Sequence, residues 1–358
     1  MSRDSNCRIH NFLTVRKSYG GGILCRLIIL LFCLSSLLSS CIYDDTDSCH
    51  FIRTAQVRIP VDWTHFKEEQ PTGMTVALYP YDLTQTYKAY LSNDLSHVDA
   101  LLQQGNYHVL VYNQSTTEFG SLHFEDMENF ATAKVMANNF VSTWYKSRGD
   151  ADRTAKSPEW LATGGIDSIA VTKQMVNTDS IYSTDTISPL NIIYKVNIHV
   201  RVKNIYNIRS ARASLEGMAE GYVFSTKQPT SSSITQLIEQ WTLKADKDNP
   251  ANGVLSATIQ SFGLPFGHQD LANENTLRLS LLLVDNKTQK DYEFEVGDKF
   301  KREDDSDSSI TTSVSLNLDL DLDIDDPIPD VKPEGGSSGG FDATVEEWGD
   351  DINIDIDA

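Results

Sequence analysis

From Ala55 onward the chain alternates apolar and polar residues with a period of two. Val57, Ile59, Val61 and Trp63 interleave with Arg58, Pro60, Asp62 and Thr64, the pattern of a strand with one buried face. Met74–Tyr79 reads as a second strand. Tyr107–Tyr112 follows a Gly105-Asn106 turn and is apolar on both faces, as expected of a central strand. After Pro189, Ile192, Tyr194, Val196, Ile198, Val200 and Val202 face one way while Asn197, His199, Arg201 and Lys203 face the other. Leu277, Leu279, Leu281 and Leu283 alternate likewise, then Tyr292, Phe294 and Val296, with turn chemistry at Asp285-Asn-Lys-Thr between them. The last clear alternation pairs Val314, Leu316, Leu318, Leu320, Leu322 and Ile324 with Ser, Asn and Asp.

Helical signals are few. Ser233-Ile-Thr-Gln236 has the form of a capping box, with Ile234, Leu237, Ile238 and Trp241 at helical spacing behind it, and Phe130 to Phe140 reads as another short helix. Many strands and few helices predict an all-β fold with minor α content, built from packed antiparallel sheets as sandwiches. The polar stretch Thr178–Pro189 divides the body into domains at 55–188 and 189–326. Pro327–Gly340 begins stiff and ends flexible, a linker over 327–341 that delivers a terminal segment at 342–358. There Ile352, Ile354 and Ile356 again alternate with polar residues.

The N-terminal segment reads differently. Arg8, Arg16, Lys17 and Arg26 precede an apolar run, Leu27–Leu38, of 12 residues. A membrane-spanning helix needs roughly 20. Basic leader, short apolar core and small residues before a break make a secretory signal over 1–40. Leu38-Ser-Ser-Cys41 is similar to a bacterial lipobox, so Cys41 is expected to carry lipid and become the first residue of the mature chain, with 41–54 as an acidic tether. Asp44 and Asp45, just past it, resemble the surface-export signal of Bacteroidetes lipoproteins. Cys7, Cys25 and Cys33 would leave with the leader, so Cys49 is the only thiol left and no internal disulfide can form. The leader takes five Lys/Arg and one Asp, which moves the net charge from −20 to −24. So acidic a surface is repelled by nucleic-acid phosphates and anionic lipid heads, and membrane attachment falls to the lipid on Cys41.

No catalytic constellation stands out. Gly335-Gly-Ser-Ser-Gly339 formally matches the G-x-S-x-G elbow around Ser337, but its flanks are linker rather than strand and helix. The histidines, His199 and His268 among them, lack metal or catalytic spacing, so a non-enzyme without cofactors is expected. Asp319, Asp321 and Asp323 would line one face of a strand at about 6.5–7 Å intervals and are weak Ca²⁺ candidates. They lack a glycine turn to fold them round one ion, and a solvated face that discourages edge-to-edge pairing is the plainer reading. Trp144, Tyr145 and Trp160 are candidates for a glycan platform. Asn113-Gln-Ser and Asn286-Lys-Thr match glycosylation acceptors, a match of little meaning in a bacterial lipoprotein.

The lipobox, the acidic tether, Val57-Arg-Ile-Pro-Val-Asp-Trp63, Pro71–Pro80 and Leu102–Asn113 together resemble the Bacteroidales fimbrillin-like lipoproteins, among them a family of unknown function. Members with a known role include the minor- and major-fimbria anchor lipoproteins. The resemblance implies two tandem transthyretin-like antiparallel β-sandwiches held at the outer membrane, cell-surface exposed, acting as a fimbrial anchor or adhesin component. It also implies fimbrial subunits as partners, joined by strand complementation. The segment 342–358 has the period of a donated strand, but it is more acidic than burial of one face in a partner calls for. A surface glycan-binding lipoprotein is the alternative.

Overall fold

The structure is a computed structural model that describes residues 53–67, 69–146, 152–300 and 318–334. Its elements are almost entirely strands. The first half contains β1 (Ala55–Pro60), β2 (Met74–Pro80), β3 (Lys88–Ser92), β4 (His97–Leu102) and β5 (Gly105–Asn113). Then come β6 (Leu122–Glu125), β7 (Lys134–Ala137), β8 (Thr154–Ala155), β9 (Ala162–Val171), β10 (Ile181–Ser183) and β11 (Leu190–Asn191). The second half contains β12 (Tyr194–Lys203), β13 (Ile208–Ala219), β14 (Gly221–Val223), β15 (Gln228–Pro229) and β16 (Ser233–Ile238). It ends with β17 (Thr242–Ala245), β18 (Asn252–Ser261), β19 (Thr276–Leu283), β20 (Gln289–Glu295) and β21 (Leu318–Asp323). Among the described residues no helix is long and apolar enough to cross a membrane.

The two halves repeat one sandwich plan. In the first, a sheet ordered β10-β1-β4 faces a sheet containing β9-β5-β2-β3; in the second, β21-β12-β18 faces β20-β19-β13-β16. Each sandwich closes the same way, with a late strand parallel to its first: β10 on β1 and β21 on β12. Within the two sandwiches the other pairings among these strands are antiparallel, and β16 pairs parallel only with β8. The alternating residues read from the sequence supply each core. Val57, Ile59, Val61 and Trp63 are buried in the first with Met74, Val76 and Leu78. Val196, Ile198, Val200 and Val202 are buried in the second with Leu277, Leu279, Leu281 and Leu283.

A third apolar cluster joins the sandwiches. The segment between β5 and β9 leaves the first sandwich and pairs with the second: β7 lies antiparallel to β14, and β8 lies parallel to β16. The result is a sheet ordered β15-β14-β7-β6 drawn from both halves. Beneath it Tyr79, Leu110 and Tyr112 of the first half meet Ile192, Phe224, Ile234 and Phe262 of the second. The rings of Tyr112, Phe124 and Phe224 stack at centroid separations of 5.7 to 6.3 Å. This explains why β2 and β5 are apolar on both faces. Val109 and Val111 enter the first core, whereas Leu110 and Tyr112 enter the joint.

Both helical expectations give way to strands. Ser233–Ile238 is extended because it lies between β13 and β8, where alternate side chains are buried on opposite faces. Ile234, Gln236 and Ile238 are buried on one face and Thr235 and Leu237 on the other, a demand that overrides the weak local helical signal. Phe130–Phe140 begins as a turn in which Asn129 O accepts from Ala133 N at 2.8 Å, then runs into β7. Polar links reinforce the joint: Thr235 N donates to Arg153 O at 2.9 Å, and Arg153 pairs with the buried carboxylate of Glu220.

The backbones of β7 and β14 approach so closely at Gly221 that a Cβ there would lie 2.2 Å from Val135 O and 2.5 Å from Met136 Sδ. Gly221→Val is therefore expected to lower stability by about 1–3 kcal/mol through overpacking. Gly120→Ala, whose Cβ would meet its nearest atom at 3.6 Å, should leave it almost unchanged. Thermal unfolding of the two variants checks this; equal melting temperatures would contradict it.

Candidate functional site

The acidic ladder folds as β21, and its period of two sorts its residues. Leu320, Leu322 and Ile324 turn inward and are 0%, 4% and 6% exposed, while Asp319, Asp321 and Asp323 face solvent. The parallel register sets Asp319 against Asn197, Asp321 against His199 and Asp323 against Arg201. Asn197 Nδ2 donates to Asp319 Oδ1 at 2.8 Å, and Arg201 lies between Asp321 and Asp323 at 3.7 and 3.3 Å. Further along, Ile324 N donates to Arg201 O at 2.9 Å, Lys203 Nζ to the Asp325 carbonyl at 3.1 Å, and Asn204 Nδ2 to the Ile328 carbonyl at 3.0 Å. The carboxylates are thus met by an amide and a guanidinium from the neighbouring strand. Among the described residues no group of three or more His, Cys, Asp or Glu side chains could hold a metal ion.

β21 is the end strand of its sheet. In a parallel pair, successive residues direct their main-chain groups to alternate sides. Because Ile324 N donates to β12, the groups of Asp319, Asp321 and Asp323 point to the outer edge, which no described strand covers. Among the described strands, this outer edge carries main-chain groups with no strand against them, under a row of carboxylates that opposes indiscriminate pairing.

Trp144 and Tyr145 share a cleft of about 580 Å³ with Arg212, Arg278, Tyr292 and Glu293. Their polar groups are already engaged. Trp144 Nε1 donates to Glu239 at 2.9 Å and Tyr145 Oη to Asp152 at 2.9 Å. The Arg212 guanidinium stands 5.3 Å from the Trp144 ring centroid. Burial, and then the Asp152 carboxylate, push the Tyr145 phenol above its ordinary pKa. Trp160 does not join them: it packs edge-on against Phe66 at 5.2 Å, beside the first core.

His199 Nδ1 lies 3.1 Å from Ser256 Oγ, and His268 stands 3.9 Å from the Asp270 carboxylate. Asn113 is fully buried, with Oδ1 accepting from Ala162 N at 2.7 Å, which removes it as a glycosylation acceptor. Cys41, Asp44, Asp45, Ser337 and the segment 342–358 lie outside the described residues. The partners of the ladder, Asn197 and Arg201, were missed by sequence reasoning. A usable signal was present, since the polar face of the 194–203 strand carries amide and basic residues at the same period as the aspartates.

A family model for a domain of unknown function, DUF5119, matches residues 42–239, more than half of the chain. The chain belongs to this family. None of the curated proteins matches it. Among solved structures, a candidate adhesin from Bacteroides ovatus superposes with a TM-score of 0.55 at 16% identity, covering 81% of this chain and 97% of that one. At that identity the likeness is one of fold. The fimbrial anchor protein Mfa2 from Porphyromonas gingivalis gives a TM-score of 0.46 at 12% identity, with 75% of this chain and 90% of that chain covered.

Leu320→Ala empties a fully buried position and is expected to cost about 2–5 kcal/mol, while Asp321→Asn should cost under about 1 kcal/mol as an exposed pair. Millimolar CaCl₂ should leave the melting temperature unchanged. A calcium-dependent rise that Asp321→Asn abolishes would show that the ladder coordinates the ion instead.

Proposed function

We propose that this chain is a non-catalytic component of a fimbria or adhesin, carried on the cell surface by lipid attached to Cys41 in the outer membrane. Asp44 and Asp45 direct its export outward, and it serves at the base of the assembly as an anchor. Neighbouring subunits join it by strand complementation. The observation that carries this reading is the outer edge of β21, which no described strand covers, while its apolar side chains stay committed to the core. The fold shared with a candidate adhesin supports the same conclusion, as do the lipobox and basic leader in the sequence. The acidic segment 342–358 is the strand this chain itself could donate.

Two experiments test the proposal at its two ends. Cys41→Ala should move the protein from the membrane to the soluble fraction, while the unaltered protein on whole cells stays membrane-bound and open to added protease. Retention of the variant in the membrane would refute lipid anchoring. At the other end, Asp321→Pro removes an outward N–H without touching the ladder to β12. It should abolish co-purification of fimbrial subunits and leave the folded domain intact by circular dichroism. Undiminished co-purification would exclude this edge as the point of joining.

A further inference from the structure

A second cavity, of about 580 Å³, opens on the first sandwich between the β2–β3 connection, β5 and the turn before β7. Its wall is a stack of three rings. Tyr81 lies 4.4 Å from His108, and His108 lies 4.1 Å from Phe130 at an interplanar angle of 17°. Tyr79 closes the floor at 5.3 Å from Phe130 and 4.9 Å from Tyr87. The outermost ring is fixed in place but not covered. Tyr81 Oη donates to the Asp167 carbonyl at 2.9 Å, and the residue is still 47% exposed.

Two polar atoms in this cavity lack what burial demands. His108 Nδ1 is buried with no hydrogen-bond partner, and Tyr79 Oη lies near Tyr87 without a well-formed bond. Buried polar groups are nearly always paired, so such atoms beside an open cavity mark places where a ligand can complete them. The rest of the lining is neutral or weakly acidic. Gln85, Thr86 and Asn129 offer amide and hydroxyl groups, Glu128 supplies one carboxylate, and no lysine or arginine takes part. The other two cavities, by contrast, are lined by Arg201, Lys203, Lys244 and Lys247 or by Lys146, Arg212 and Arg278.

We infer that this cavity is a binding site for a neutral saccharide. Flat aromatic faces take the C–H face of a sugar ring, and the amides, the carboxylate and the two unmet buried atoms take its hydroxyls. The missing cations exclude phosphorylated, sulfated and uronic-acid ligands, whose charge Glu128 would repel. The site uses neither β21 nor Cys41, so it stands or falls separately from assembly and lipid anchoring.

The test is an array of hexose- and N-acetylhexosamine-containing oligosaccharides with their sialylated counterparts, probed with the full chain carrying Cys41→Ala, followed by calorimetric titration of the best neutral ligand. Neutral glycans should be retained and sialylated ones refused. Tyr81→Ala, at a half-exposed ring, should weaken binding about tenfold or more while the chain stays folded by circular dichroism, and Tyr81→Trp should preserve binding. Glu128→Gln provides a second variant at an exposed position and should lower affinity for the same ligand. Absence of any neutral-glycan binding, retention of anionic glycans only, or an affinity indifferent to Tyr81→Ala would overturn the inference.

Discussion

The joint between the two sandwiches constrains everything else in this molecule. Its sheet takes two strands from each half, so neither half can complete its hydrogen bonding or cover its apolar surface without the other. Tyr79, Leu110 and Tyr112 project from the back of the first sandwich and would be open to water if β14 and β16 were removed. Arg153 likewise reaches from the first half to neutralise Glu220, a carboxylate that is 4% exposed and would otherwise be buried and uncompensated. A repeat of two sandwiches is in this way made into one cooperative unit.

The repeated plan also sets how β21 is held. In both sandwiches a late strand lies parallel on the first strand and, among the described residues, is the end strand of its sheet. Apolar burial holds β21 in place from one face, and Asn197 and Arg201 hold its carboxylates from the neighbouring strand. Neither interaction uses the outward main-chain groups. Holding and joining are thus separated within six residues.

Much of this was legible in the sequence, and the limits have physical causes. Period-two alternation located β1, β12, β19 and β21 because each has one face in a core and one in water. The same logic marked Tyr107–Tyr112 as central but could not say what covered its second face, since the covering residues are drawn from scattered segments, from Phe119 and Phe124 nearby to Phe224, Ile234 and Phe262 in the second half of the chain. Ser233–Ile238 misled because a strand buried on both faces loses the alternation that identifies strands, and its apolar spacing then fits a helix equally well. Trp144, Tyr145 and Trp160 drew attention as a ligand platform but are half-buried, whereas the ring stack of Tyr81, His108 and Phe130 is assembled from three separate segments and leaves no local trace.

The claim that the joint makes the two sandwiches one unit is tested most directly by differential scanning calorimetry of the full chain. A single transition whose calorimetric and van't Hoff enthalpies agree is the predicted result, because loss of either sandwich exposes the shared cluster and removes strands from the other's sheet. Two separable transitions, or a van't Hoff enthalpy near half the calorimetric value, would mean that the halves unfold independently and that the shared sheet does not couple them.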